Sequence, residues 1–318
     1  TAFGRGAVAP GRVSFDSIDD AIRAISAGEM IVVVDDDDRE NEGDLIMAAC
    51  KASSEQIAFM IRYTSGILCA PLSGGRARRL RLDPMVRDNT APLGTAFTVS
   101  VDYREGLTTG ISAEERAATV RALANGNLGA EDFVRPGHIF PLVASEGGVL
   151  VRSGHTEAAT DLTRLAGLPA VGVLGELVND NGTVKRLPEL TSFARAHGLK
   201  VVSIADLITY RRSRERLVDR VSEFQIHTEI GPARAIAYST PFDSAQHLAL
   251  VFGDVIAPAS VVVRIHREEL AADVFGRESD GGGLVSRALR RIAVEGAGVM
   301  VYLRAGATGV QAPAPDAR

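Results

Sequence analysis

Met30-Ile-Val-Val-Val-Asp-Asp-Asp-Asp-Arg-Glu-Asn-Glu-Gly-Asp44 is the stretch on which the fold reading turns. Its first five residues are a continuous apolar, mostly β-branched run, the pattern of a strand buried on both faces. The run empties into a loop with seven carboxylates among residues 35–44 and a single arginine. Helix and strand signals alternate on either side. Ser17-Ile-Asp-Asp20 resembles a capping box with Asp in place of Glu and predicts a helix through Ala21, Ile22 and Ile25 that stops near Gly28. Ser53 to Gln56 is a second box, opening a helix that ends before Gly66, and Ser112-Ala-Glu-Glu115 a third, for a helix ending at Gly126. Strands are expected at 67–70, 96–101, 147–151, 170–177 and 199–204, with helices at 156–165 and 190–197. Such interleaving favours an α/β domain with helices packed on a sheet.

The pattern changes at the charged stretch Tyr210-Arg-Arg-Ser-Arg-Glu-Arg216, which places a domain boundary within 212–220. Beyond it, strands are expected at 222–228, 233–238, 248–252, 260–266 and 298–303, with one helix at 284–295. Two domains follow, 1–212 and 220–318, and 318 residues suit two at about 100–200 each. The Ala/Gly/Pro-rich tail after Arg304 is expected to fray.

Composition removes several function classes. A formal net charge of −5 gives no overall cationic field for nucleic acid or anionic lipid. No apolar run approaches the ~20 residues that span a bilayer. With no Trp and 5% aromatics, a base-stacking or sugar-stacking surface is not expected. Cys50 and Cys69 alone make neither a disulfide framework nor a multi-thiolate metal site. The opening residues show no apolar secretory core, so the expected compartment is the cytoplasm.

Two motifs carry chemistry. Packing the carboxylates of 35–44 together costs Coulomb energy unless a cation or solvent relieves it, and oxygen donors at this density suit Mg²⁺ or Mn²⁺. Glu40, Glu42 and Asp44 are spaced at two, so an extended loop points all three one way. Arg39 either neutralises part of that field or clamps a phosphate. A solvated charge run has the same composition, but sites in α/β domains gather at strand ends. Arg152-Ser-Gly-His-Thr156 precedes a helix, where backbone N–H groups and the helix dipole offer an anion seat and His155 an imidazole; a plain capped helix start is the competing reading. His138 follows a Pro-Gly turn. Glu176 interrupts an apolar strand, where a charge is expensive unless paired, with Arg186 as one available partner. Leu107-Thr-Thr-Gly-Ile-Ser112 is a polar turn that either caps a helix or holds hydroxyl or phosphate groups.

Taken together, residues 36–44, Thr108-Thr-Gly-Ile-Ser112, Arg135-Pro-Gly-His138, Arg152-Ser-Gly-His-Thr-Glu157 and Gly175-Glu-Leu-Val-Asn-Asp180 resemble 3,4-dihydroxy-2-butanone 4-phosphate synthase, in family order and spacing from about residue 14 to 212. The resemblance implies a mixed sheet with helices packed on it, and a lyase that converts D-ribulose 5-phosphate to L-3,4-dihydroxybutan-2-one 4-phosphate and formate with Mg²⁺ or Mn²⁺. It implies Glu40 and His155 as metal ligands. It implies substrate contacts from Arg39, Glu40, Asp44, Arg152, Ser153, Gly154, His155, Thr156 and Glu176, and catalysis by His138 and Glu176. Glu42, Cys69, Thr108 and Thr109 are further candidates. The family is typically a homodimer.

From about residue 220 the chain is similar to GTP cyclohydrolase II, through Val263-Arg-Ile-His-Arg-Glu-Glu-Leu-Ala-Ala-Asp-Val-Phe-Gly276 and Gly298-Val-Met-Val-Tyr-Leu-Arg304, which implies a smaller α+β domain. Glu269, Asp280 and Gly282 stand where that family carries its zinc cysteines, and Ala305-Gly-Ala-Thr-Gly309 stands where it carries a GTP-handling segment. The chain also ends short of that family's usual length. No zinc and no cyclohydrolase activity are expected.

Overall fold

The computed structural model describes residues 15–36, 38–240, 242, 245–256, 260–275 and 283–304. The tail beyond Arg304, Asp280 and Gly282 lie outside the described residues. The chain divides into two compact units, Thr1–Arg214 and Glu215–Arg318.

The first unit runs α1 (Ile18–Ala27), β1 (Ile31–Val34), β2 (Gly43–Ala48), α2 (Ser54–Tyr63), β3 (Cys69–Ser73), α3 (Gly74–Arg79), β4 (Val101–Tyr103), α4 (Ala113–Ala124), β5 (Phe133–Ala144), α5 (His155–Leu165), β6 (Gly172–Glu176), α6 (Leu187–His197), β7 (Lys200–Ser203) and α7 (Ile204–Arg214). Local chemistry sets the helix starts. The Ser17 hydroxyl accepts the Asp20 N–H, and reciprocal capping boxes close at Ser53/Gln56 and Ser112/Glu115. Gly28 ends α1 at φ 86°, in the left-handed region that favours glycine.

The seven strands form one mixed sheet in the order β4-β5-β3-β6-β2-β1-β7, with β1/β7 and β3/β5 parallel and the other pairs antiparallel. The apolar run of β1 is buried throughout because both faces are covered. Val32 and Val34, with Leu45 and Met47 of β2, pack under α2, α4 and α6 through Ile57, Met60, Val120 and Leu190. Ile31 and Val33, with Ile46 and Ala48, pack on the opposite side against Ile25 of α1, Leu162 of α5 and Leu207 of α7. This three-layer arrangement brings the C-terminal end of β1, the N-terminal ends of β2 and β3 and the C-terminal end of β6 to one edge of the sheet.

Several expected elements differ. Residues 147–151 are not a strand but hold a 3-10 turn, Gly148–Leu150, because Gly147 and Gly148 both take positive φ and the Asp161 carboxylate accepts the Val149 N–H. Residues 96–100 make only isolated bridges, Phe97 to Leu142 and Thr98 to Pro84, and the strand proper, β4, begins at Val101. The strand expected at 67–70 begins at Cys69. Strands β2 and β5 were not expected: β2 opens on the acidic Gly43-Asp44, and β5 contains Arg135-Pro-Gly-His138 and Pro141, all residues that weaken a strand signal.

The second unit runs β8 (Asp219–Thr228), β9 (Gly231–Ser239), β10 (His247–Phe252), β11 (Val262–Arg267), α8 (Leu270–Phe275), α9 (Leu284–Glu295) and β12 (Gly298–Leu303). Its mixed sheet has the order β11-β12-β10-β9-β8, with Leu289 and Ile292 of α9 packed on Met300, Phe252 and Ala233. Helix α8 was not expected. Among the described residues no helix is long and apolar enough to cross a membrane.

One buried ion pair fastens the turn that precedes α5. Arg211 of α7, 3% exposed, donates to Asp161 (2.6 Å) and to the Gly147 carbonyl (2.7 Å). Removing one partner of a buried pair strands the other charge, at about 3–5 kcal/mol. Arg211→Met is expected to lower unfolding stability by roughly 3 kcal/mol, read as a lower urea midpoint; an unchanged midpoint contradicts this role.

Candidate active site

Asp35 is the first residue past β1, and its carboxylate folds the acidic turn back on itself. Oδ2 accepts Arg39 Nη1 (2.9 Å) and the Glu40 N–H (3.0 Å), and Oδ1 accepts the Glu42 N–H (2.9 Å). Its side chain is 1% exposed. The turn is therefore not extended: Asn41 sits at φ 54°, and Arg186 of the segment before α6 clamps the Glu40 carbonyl (2.8 Å) and the Asn41 carbonyl. Arg39 donates to the carboxylates of Asp35 and Glu40, so it neutralises the turn from inside.

Strand register places the remaining groups. Asp44 pairs with Val33 on one side and Glu176 on the other, and Cys69 pairs with Leu174, two residues before Glu176. Over this edge lies the first turn of α5. His155 is 6% exposed; its Nε2 meets the Val33 carbonyl at 3.2 Å and its Nδ1 lies 3.4 Å from Glu40 Oε2. A carbonyl only accepts, so Nε2 carries a proton and Nδ1 is the atom turned to the carboxylates. One donor atom each from Asp35, Glu40 and His155 fall within 4.8 Å of one another.

The charges respond to this crowding. Burial pushes the Asp44 carboxyl up to about 7; His155 opposes the rise and the charges of Glu176, Glu40 and Glu42 add to it. Burial opposes a charge on His155, but Asp44, Glu40 and Asp35 outweigh it and lift the imidazolium to about 9. The hydrogen bond from His155, and then the Arg39 charge, hold Glu40 down to about 2 against its burial. Burial, then Glu40 and Glu176, raise Glu42. Burial, with Glu176 and Asp44 beside it, pushes the Cys69 thiol far above the usual range, so it is a neutral group in the floor.

Asp44 Oδ1 is buried with no hydrogen-bond partner among the described residues. A buried, unpaired carboxylate oxygen beside an imidazole held protonated by anions marks a place where a cation lowers the energy. The donor set, hard carboxylate oxygens and one imidazole nitrogen, fits Mg²⁺ or Mn²⁺. Glu40 and His155 would hold it.

Residues 19–210 match the family model of 3,4-dihydroxy-2-butanone 4-phosphate synthase, and residues 219–313 that of GTP cyclohydrolase II. The chain belongs to the 3,4-dihydroxy-2-butanone 4-phosphate synthase family. By family it is an enzyme of riboflavin biosynthesis. It is 52% identical over 297 residues to the riboflavin biosynthesis protein RibBA of Rhodococcus erythropolis, covering 91% of this chain and 70% of that one. Against the RibBA of Salinispora arenicola it is 52% identical over 292 residues, with 92% and 70% covered. Among solved structures it resembles RibBX of A. baumannii, a two-domain synthase, with TM-score 0.75 and 38% identity over 93% of this chain and 83% of that one. It also resembles a synthase in complex with two magnesium ions, with TM-score 0.61 and 46% identity over 63% and 98%.

Within the synthase unit, the fold gathers Arg39, Glu40, Glu42, Asp44, Cys69, His155 and Glu176 at one place. Glu176 does not pair with Arg186; its Oε2 accepts the Ser65 hydroxyl (2.7 Å). His138 lies on β5, and β3 stands between β5 and the β6 strand that carries Glu176. Thr156 is buried in the first turn of α5 and Ser153 is exposed. Arg152 is engaged by Glu157 (2.7 Å) and the Leu93 carbonyl (3.2 Å), and the two side chains occupy the space a Cβ at Gly154 would take. Thr108 is bound into the α4 cap through Glu115 (2.7 and 2.8 Å), and Thr109 is exposed. A cavity of about 730 Å³ lined by Met85, Val86, Phe97 and Val143 includes none of these residues. Asp102 was not expected at all; Asp35 and Glu157 were read only as members of their motifs, and Arg186 was expected as a partner of Glu176, not of the acidic turn's carbonyls.

The imidazolium adds stability below pH 6.5, where the ring is protonated folded or unfolded, and loses it as pH rises through about 9. A divalent cation must displace that proton, so it binds more weakly at the lower pH. The rise in Tm produced by a fixed concentration of Mg²⁺ is expected to be larger at pH 9 than at pH 6.5. Equal rises contradict the assignment.

Proposed function

We propose that the N-terminal unit converts D-ribulose 5-phosphate to L-3,4-dihydroxybutan-2-one 4-phosphate and formate. One observation carries the reading: in a chain whose residues 19–210 match the synthase family, Glu40 and His155, more than a hundred residues apart, meet at 3.4 Å beside a buried Asp44. Bound Mg²⁺ or Mn²⁺ would polarise oxygens of the keto-sugar and make its neighbouring C–H bonds more acidic. The chain's own residues supply the rest. Asp44, with a carboxyl lifted to about 7, suits proton abstraction near neutral pH, and Glu42 and Glu176 share that work. His138 gives the proton when water leaves. Arg39 and the 152–156 turn face the phosphate and hydroxyl groups. Water lost in one step returns in a later one, so substrate and products balance without an oxidant. A homodimer and a cytoplasmic location belong to the same reading.

We also infer that the C-terminal unit carries neither zinc nor cyclohydrolase activity. Both cysteines, Cys50 and Cys69, lie in the first unit, and without thiolates a zinc site of that kind has no donors.

With ribulose 5-phosphate and Mg²⁺, formate and the butanone phosphate are expected, and EDTA removes both products. Glu40→Gln and His155→Gln are each expected to lower kcat/KM by about 10²-fold or more. Near-normal turnover in either variant refutes the site. GTP is expected to release no formate above a protein-free blank; chelator-sensitive release overturns the inactive assignment.

A further inference from the structure

His138 sits in a break of strand register. Across the β4–β5 pair Val101 faces Ile139, while the next residue, Asp102, faces Val134, so residues 135–138 are pushed out of the ladder. Breaks of this kind re-aim side chains beside active sites. Gly137 lets this one close, because a Cβ there would lie 2.0 Å from the Val101 carbonyl carbon and 2.3 Å from the Asp102 nitrogen. Its N–H donates to Ser100 Oγ (3.1 Å).

The Asp102 side chain fills the gap. Oδ1 accepts the His138 backbone N–H (2.8 Å), and Oδ2 lies 2.7 Å from the ring Nδ1. The Asp102 side chain is 4% exposed and that of His138 40%. Gly110, at φ 80°, roofs this contact: a Cβ there would lie 2.1 Å from Asp102 Oδ2 and 2.8 Å from His138 Nδ1. Behind Asp102, Arg116 of α4 is buried, donates to the Gly66 carbonyl (3.3 Å) and feels the Asp102 charge. The glycines of Arg-Pro-Gly-His and Thr-Thr-Gly-Ile-Ser thus serve one contact from two sides.

We propose that Asp102 is the positioning residue of His138, holding the ring in the Nδ1–H tautomer so that Nε2 is the atom that gives and takes the proton. An ionised carboxylate only accepts, so the ring nitrogen that faces it must donate. Two bonds from one carboxylate, one to the backbone and one to the ring, fix both the place and the rotation of the imidazole. The inference rests on the proton-transfer role given to His138 above.

The wild-type protein supplies the first test. In its ¹⁵N-histidine NMR spectrum, with His138 assigned from the signal missing in His138→Gln, the neutral ring is expected as the Nδ1–H tautomer. An Nε2–H tautomer overturns the proposal, whether or not any variant folds. Asp102→Asn is expected to lower kcat by on the order of 10²-fold or more with KM within about threefold. In a His138→Gln background the same change is expected to cost nothing further. A wild-type kcat in Asp102→Asn, or losses that add in the double variant, also overturn it. Should wild type make no formate from ribulose 5-phosphate while the Nδ1–H tautomer is found, the reaction assignment falls and the placement of His138 by Asp102 stands.

Discussion

Five carboxylates, those of Asp35, Glu40, Glu42, Asp44 and Glu176, are held at one edge of a seven-stranded sheet, and the rest of the site answers to their mutual repulsion. At an effective dielectric near 20, two unit charges 4 Å apart repel by about 4 kcal/mol. The fold meets this with cations and donors placed at different depths. Arg39 is bonded inside the turn, Arg186 grips the turn's carbonyls from outside, and His155 enters from the helix above. Asp44 alone keeps a buried oxygen with no hydrogen-bond partner among the described residues. That residual imbalance is the chemical opening of the proposed reading: a divalent cation would relieve it, and burial keeps a carboxyl group able to exchange protons near neutral pH.

The layered fold makes the convergence possible. The burial that makes β1 continuously apolar also forces helices onto both faces, and α5 on one of them delivers His155 to the Val33 carbonyl. The turn before α5 is fastened by the Asp161–Arg211 pair. The position of the imidazole is thus a product of packing far from the acidic turn, while the turn itself is shaped locally by Asp35.

Much of this was legible in the residues. The apolar run of β1, the Ser53 and Ser112 capping boxes and the Gly28 stop are short-range signals, and the structure has each of them. Glu40 and Asp44 were legible from the density of carboxylates after β1, His155 from the polar turn that opens a helix, and Glu176 as a charge in an apolar strand. What depends on register was not legible. Strand β5 hid behind its prolines, glycine and arginine, and the pairing of Asp102 with His138 arises only where the ladder breaks. In the second unit, the strands were readable but the cluster of buried His266, which meets both oxygens of Asp273 (2.9 and 3.0 Å), with the Tyr302 hydroxyl (2.6 Å), was not. It ties α8 to β11 and β12, alongside a small apolar core.

The central claim is that one hard cation is shared by the acidic turn and the helix-borne imidazole. Electron spin-echo spectroscopy of the protein loaded with a single equivalent of Mn²⁺ reads this directly. The account predicts a ¹⁴N modulation from one coordinated imidazole that disappears in His155→Gln. Manganese bound without nitrogen coupling, or coupling that survives that substitution, contradicts it.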